Sequence, residues 1–562
     1  MTGSRDAATP EGIAPLLEQV GAFIDARLPN WHTPGVVVAL TDRDRLLGAV
    51  SRGWADLPGR RPMTTADRFQ IGSISKSFTA ILALQEVERG RLDLHAPVTD
   101  HVPWFAVRSR FAPITLHHLL THTSGLITGT DASLDARHEL WLLRDTECAY
   151  APGERFLYSN DGYKLVGIAL EAVTGRPFPQ LLAERLLKPL GMTDSDPMIT
   201  LATRASTATP HQRMHDDRPR HAGHPLVASP WYEAASADGS IVSTVADMCA
   251  YARWLLNRGE APEGRLLSGD SFRLLTERHV EDPSEKDWYG YGLGVYDEDD
   301  RTLIGHSGGM VGFSSFLMVD PEAGLGVVVL MNGNEERGDL VRYVLEAGRA
   351  VAEGEAVPAP PPPADPGLLG GAAQEYQGSY HPAEVTEGVR GVGPCGVDVL
   401  ARDGRLLLRH GGEVVTLERA AADVFLVPHP ELDRFHLRFW RDDDGRVTHV
   451  THGGAWYAGP AYGGPAAFPP VPEAAAICGH YHCWNVWMEH LRIVERRGSL
   501  WLIAPWLEEP AAELELVPLG DGSFRVGREE WRPDRLTVDT VLDGIATRAV
   551  YDLLPFYRAA TP

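Results

Sequence analysis

Cysteine is scarce in this chain: five among 562 residues, an odd number, with no C-x-x-C pair. That argues against a disulfide framework and fits free thiols in a reducing compartment. Long apolar runs are missing too, since none approaches the roughly twenty residues that a membrane span needs. The opening "MTGSRDAATPEGIAPLLEQV" lacks a basic start followed by an apolar core, so no secretory signal is visible and a cytoplasmic location is expected. Positive charge is in deficit, with 52 Lys and Arg against 76 Asp and Glu and a net charge of −24. Such a chain repels polyphosphate and anionic lipid, so neither nucleic acid nor a membrane is expected as a partner. The partner expected is a small-molecule or peptide substrate, with a homodimer as the oligomer to be considered, and no metal or organic cofactor is implied.

What is present points to several domains. A length of 562 residues exceeds what one core usually organises. Two proline-rich joints, 356–370 and 459–472, divide the chain, and the first holds six prolines within "AVPAPPPPADPG". The expected domains are 1–355, 371–458 and 473–562. The last two resemble each other: Gly378-Ser379-Tyr380 answers to Gly479-His480-Tyr481, Phe425 to Phe524, Asp444-Gly445 to Asp543-Gly544, and Tyr457 to Tyr557. Each partner lies about 100 residues further on, the signature of a duplication. Short strands with turn signals and no long helix make each copy a small antiparallel β-barrel or sandwich. "GHYHCWNVWMEH", from Gly479, reads as the first strand of the second copy.

The first 355 residues have another texture. Leu16, Leu17, Val20, Phe23, Ile24 and Leu28 recur at the helical period. "GVVVALTD" and "RLLGAVSRGWAD" follow as two strands, and "DMCAYARWLLNRG" is an amphipathic helix closed by glycine. With strands at 303–319 and 325–331 this is an α/β sandwich, an antiparallel sheet flanked by helices.

Three short motifs carry chemistry. Gly305-His306-Ser307-Gly308-Gly309 has the form G-x-S-x-G, but a nucleophile elbow needs a helix directly after its serine, and strand-forming sequence follows here. Ser307 is therefore expected to line a site rather than to attack. In "QIGSISKSFTAILALQEVERG" a helix begins near Ser73, with Lys76 one turn on and on the same face. A serine there is commonly a cap. The positive helix end, however, disfavours the ammonium of Lys76 and favours an oxyanion beside Ser73. "YSN" places Tyr158 and Asn160 on a polar turn before another amphipathic helix, Tyr163 to Val173, and a phenol beside an ammonium could serve partly as phenolate base.

S-x-x-K, Y-x-N and "HSG" in that order resemble the penicillin-recognising serine hydrolases, nearest the class C β-lactamase branch. "LLTHTSGL", "LLKPLGMTDSD" and "DGSIVSTVADM" look like framework segments of the same family, and the resemblance covers roughly residues 12 to 350. It implies a β-lactamase/transpeptidase-like fold, and the two trailing domains resemble those of three-domain D-aminopeptidases and single lipocalin-like domains of related peptidases and thioesterases. It also implies roles: Ser73 as nucleophile, Lys76 and Tyr158 as its bases in concert, Asn160 holding Lys76 and a substrate amide, and the backbone of Ser73 and Gly309 as oxyanion donors. Gly308 and Gly309 continue the third motif on an edge strand beside the cleft. His306 stands where a β-lactamase has lysine, so it would anchor a substrate carboxylate weakly and penicillin hydrolysis is not expected. The activity implied is that of a serine hydrolase on a small amide, peptide or ester, D-aminopeptidase-like or esterase-like. The alternatives are an acyltransferase or thioesterase releasing or cyclising a nonribosomal peptide, and a ligand sensor whose adduct does not turn over. "PHQRMHDDRPRHAGHP", with His211, His215, His221, His224, Asp216 and Asp217, reads as a solvated loop over the cleft rather than a metal site.

Overall fold

A computed structural model describes residues 12–129, 131–148, 150–283, 287–298, 300–335, 338–382, 396–410, 412–505 and 513–559. The chain forms two compact units, one of Met1–Gln212 with Leu226–Pro363, the other of Arg213–Pro225 with Ala364–Pro562.

A nine-stranded antiparallel sheet is the centre of the first unit. Its order is Val280–Asp282, Asp287–Tyr289, Gly294–Glu298, Arg301–Met310, Phe313–Asp320, Leu325–Met331, Gly35–Thr41, Leu46–Asp56 and Arg61–Pro62. The early strand Gly35–Thr41 pairs with the late strand Leu325–Met331, Val36 opposite Met331, so distant parts of the chain close one sheet. Both are buried along their whole length, which explains why they read as apolar runs without alternation. Val36, Val38, Leu40, Val327 and Val329 share one core with helices Ile13–Arg27 and Gly338–Ala352. Helix Val245–Leu256 also packs on these two strands, capped by the Thr244 side chain and followed by Gly259 with φ 91°. The expected strand 303–319 is in fact two, because the chain reverses at Val311-Gly312, where Gly312 has φ 73°.

In the second unit the two β domains repeat several features in register. Its first β domain is a nine-stranded antiparallel sheet whose two end strands, Glu413–Thr416 and Glu418–Ala421, are separated by Leu417 alone, so the sheet nearly closes. The second is a closed eight-stranded barrel. Tyr380 and Tyr481, on the first strand of each, donate their hydroxyls to the carbonyls of Tyr376 and Ile477, each four residues back. Gly445 and Gly544 turn equivalent hairpins at φ 78° and 77°. "GHYH" is the first barrel strand, as expected.

The segment Arg213–Pro225 departs from its reading as a solvated loop. It belongs to the second unit, where Arg218 pairs with Asp433, Asp217 with Arg492 and Asp216 with His490. Burial alone would raise the Asp217 pKa, but hydrogen bonds and charge from Arg218 and Arg492 hold it well below the carboxylate range. Among the described residues no helix is long and apolar enough to cross a membrane. Cys148, Cys249, Cys478 and Cys483 are free thiols, and Cys395 lies outside the described residues.

Candidate active site

Ser73 lies on a single 3-10 turn, Gly72–Ile74, that runs straight into helix Ser75–Glu88. It makes no capping bond, so the bland explanation of a serine at this place fails. The turn is pressed against the strand Arg301–Met310: a Cβ on Gly72, whose φ is 54°, would come within 2.7 Å of the Gly309 nitrogen. Gly308 is equally confined, its Cβ position lying 2.0 Å from the Ile71 carbonyl oxygen, whereas at Gly309 a Cβ would meet nothing within 4 Å. The glycine pair thus does two jobs, close approach at Gly308 and an open backbone facing the cleft at Gly309.

The expectation of an edge strand needs correction. Three further strands lie outside Arg301–Met310, but pairing with Gly294–Glu298 stops at Gly305 opposite Gly294. His306 to Met310 therefore has a strand neighbour on one side only. A local edge forms where the cleft needs backbone free.

Lys76 is fully buried. Its Nζ donates to Ser73 Oγ at 2.8 Å, to Asn160 Oδ1 at 2.7 Å and to the Asp238 carbonyl at 2.9 Å. These three acceptors match the three protons of an ammonium. Desolvation nevertheless outweighs the nearby Asp238 charge and lowers the pKa to about 8. A lysine so placed is neutral often enough near neutral pH to take a proton from Ser73.

Tyr158 reaches the same point from the other side of the chain, hydrogen-bonded to Ser73. The Lys76 ammonium sits over its ring, 4.9 Å from the centroid. Burial pushes the phenol pKa far upward, beyond what its bond with Ser73 lowers, which favours the neutral phenol over the phenolate that was expected. Asn160 begins helix Asn160–Thr174, whose first turn is capped by Ser159.

His306 is corrected as well. Its Nδ1–H donates to the Ser307 carbonyl, which leaves Nε2 to accept from the Tyr289 hydroxyl at 2.9 Å. Burial lowers its pKa to about 4. With both nitrogens engaged and the ring neutral, His306 offers a substrate carboxylate nothing; it fixes Tyr289 instead.

Several cleft residues were not read from the sequence. The cleft, about 290 Å³, is lined by Ser73, Tyr158 and Gly309 and by the hairpin strands Val280–Asp282 and Asp287–Tyr289. Asp282 and Asp287 face each other directly across that hairpin, and both line the cleft. Phe156, Trp288, Tyr289 and Tyr296 complete the wall. His122 lies beneath Tyr158, ring centroids 4.1 Å apart, and its Nδ1 accepts the Ser159 N–H at 3.0 Å. Its backbone is left-handed at φ 57°, an uncommon state for a residue other than glycine. "THTSG" was a signal for it, but nothing local says which ring the histidine supports. Of the histidine-rich segment, only Asp216 joins a metal-sized group among the described residues, with Glu489 and His490.

The family model for beta-lactamase matches residues 20–349. Penicillin-binding protein 4 of Amycolatopsis lactamdurans is 32% identical over 379 residues, covering 63% of this chain and 97% of that protein. Protein flp of Staphylococcus aureus (strain N315) is 26% identical over 334 residues, 57% of this chain, which spans 64% of the length of flp. Among solved structures, the octameric penicillin-binding protein homologue from Pyrococcus abyssi aligns with a TM-score of 0.56 and 24% identity over 79% of this chain and 99% of that one, a likeness of fold. A family match over more than half the chain, together with a nearly full-length relative, establishes the conclusion: this chain belongs to the beta-lactamase family of penicillin-binding-protein-like serine hydrolases.

Proposed function

We propose that the protein hydrolyses small amides, peptides or esters bearing a free amino group, through an acyl-enzyme on Ser73, as D-aminopeptidases and related esterases do. The observation that carries the reading is Lys76, buried, with its pKa lowered to about 8 and its Nζ 2.8 Å from Ser73 Oγ. In the acylation step Ser73 Oγ forms a bond to the substrate carbonyl carbon while its proton passes to neutral Lys76. The oxyanion accepts the N–H groups of Ser73 and Gly309. Tyr158, a neutral phenol beside Ser73, gives its proton to the departing amine or alkoxide and regains one from Lys76. Water then attacks the ester carbonyl and gives its proton to Lys76, the bond between the carbonyl carbon and Ser73 Oγ breaks, and Lys76 returns that proton to Oγ as the acid leaves.

The amine preference rests on the cleft wall. Asp282 and Asp287 put two carboxylates on the cleft wall, which attract a cation. The surrounding aromatic rings add cation–π attraction for an ammonium. A neutral His306 removes the counterpart that a penicillin carboxylate would seek.

The test offers D- and L-aminoacyl amides and esters, free and N-acetylated, and follows adduct and product by mass spectrometry. A transient adduct on Ser73 and free acid as product are expected. Ser73→Ala should lose at least about three orders of magnitude in rate, as loss of a nucleophile does, while Ser307→Ala keeps most activity. A dead Ser307→Ala would overturn the assignment, and a new amide in place of free acid would make the protein an acyltransferase.

A further inference from the structure

The second unit holds a larger cleft than the catalytic one, about 610 Å³, where its two β domains meet. Five arginines line it, against a single acidic lining residue, Asp442. Four of the five are already paired: Arg441 with Asp423, Arg446 with Asp442 and Asp444, Arg496 with Glu513, and Arg528 with Glu515. Arg497 makes no ion pair with a carboxylate among the described residues. This happens in a chain with a net charge of −24, where a carboxylate partner is easy to find.

Arg497 is held in a costly state. It forms the turn between strands His490–Arg496 and Ser499–Ile503 together with Gly498, at φ 56° and 72°. A two-residue turn of this kind favours Asn-Gly or Asp-Gly, and arginine in the left-handed region is uncommon. Its guanidinium lies 5.2 to 5.6 Å from the ring centroids of Trp456, Tyr462 and Phe468. One Nη donates to His449 Nε2, and Nε is buried without a partner among the described residues. Burial and the charges of Arg497 and Arg496 keep His449 neutral, so it accepts this bond without supplying charge. The opposite wall is aromatic: Trp440 stacks on His449 at an interplanar angle of 7° and meets Trp501 edge-on, and the Trp501 indole N–H is buried with no acceptor among the described residues.

A guanidinium and an indole N–H without a carboxylate or acceptor among the described residues, with flat aromatic walls in the same cavity, are complementary to a flat molecule with an oxyanion at one end. We propose that this cleft is a binding site for a small aromatic carboxylate, its carboxylate on Arg497 and its ring against Trp440 and Trp501. The unfavourable turn conformation is then retained for recognition rather than for folding.

Isothermal titration of the full chain with indole-3-acetate and with benzoate, against indole-3-acetamide and benzamide as uncharged counterparts and inorganic phosphate as a bare anion, tests this. Saturable binding of the carboxylates is expected, at least tenfold tighter than of the amides and of phosphate, because a charge-assisted bond to Arg497 is lost in the one and the aromatic contact in the other. Arg497→Asn creates an Asn-Gly turn, so its Tm should not fall, while carboxylate affinity drops at least tenfold and Ser73 acylation is unchanged. Equal affinity for acid and amide, tighter binding of phosphate, or no saturable binding by wild type would overturn the proposal. So would undiminished binding by Arg497→Asn, whatever its Tm.

Discussion

Asn160→Asp turns the amide whose Oδ1 accepts from Lys76 Nζ at 2.7 Å into a carboxylate and leaves the side-chain shape intact. A carboxylate so close to a lysine raises its pKa by about one to three units, because the charged form gains a partner. From about 8 in the wild type, the value moves to between about 9 and 11. The sign follows from the role: a base acts when deprotonated, so acylation rises with pH up to the lysine pKa and is flat above it. At pH 7 about one-tenth of wild-type Lys76 is neutral, falling to between about one-hundredth and one ten-thousandth in the variant. Acylation at pH 7 should therefore slow by about 10- to 1,000-fold and recover as the pH is raised. The assay is the second-order rate of Ser73 modification by an organophosphonate, read by intact mass between pH 6 and 10.5, which needs no knowledge of the natural substrate. A wild-type limb that does not bend near 8, or a variant that bends at the same pH as wild type, would refute Lys76 as the base.

Other outcomes follow from the same geometry. Asp287→Asn should lower kcat/KM for substrates with a free amine by about tenfold and leave their N-acetylated counterparts little changed, since one carboxylate of the facing pair is lost; equal effects on both would refute the ammonium site. Gly308→Ala should cost about 1–3 kcal/mol in thermal denaturation, because its Cβ would stand 2.0 Å from a backbone oxygen, while Gly309→Ala should leave Tm unchanged; matching Tm values would refute the packing argument. His122→Asn, which tolerates the left-handed backbone and can still accept the Ser159 N–H, should slow acylation by about tenfold in a folded protein by removing the ring beneath Tyr158; an unchanged rate would deny His122 that positioning role. Asp217→Asn should lower stability by about 1–3 kcal/mol at pH 7. Because the folded-state pKa of Asp217 is depressed, that difference from wild type should be present above about pH 4 and fade as acid protonates the wild-type carboxylate; a pH-independent difference would refute the ion-pair account.

The reactive centre was legible because part of it is local. Ser73 and Lys76 are three residues apart on consecutive helical turns, so the sequence alone puts their side chains on one face. Tyr158 and Asn160 flank the start of a helix, where polar side chains are displayed at a fixed point of the chain. The same locality explains why the two β domains could be matched residue by residue: their turns and first strands repeat with nearly constant spacing. Protonation was not legible in the same way. Tyr158 was read as a base from its place beside an ammonium, yet its burial, against the rings of His122 and His306, favours the neutral phenol. His306 was read as a weak anchor, yet Tyr289 and the Ser307 carbonyl already use both of its nitrogens.

By itself, then, the sequence determined the fold class of the catalytic unit, the serine and lysine on one helix face, and the duplicated β domains, since all of these are written in spacings of two, three to four, or about 100 residues. Tertiary structure alone decided the state of the groups. It brought Asp282 opposite Asp287, set His122 under Tyr158, ended strand pairing at Gly305 and placed Arg213–Pro225 in the second unit. The physical reason is that desolvation and charge pairing depend on everything within a few ångströms, and those neighbours come from residues far apart in the chain, where no period records them.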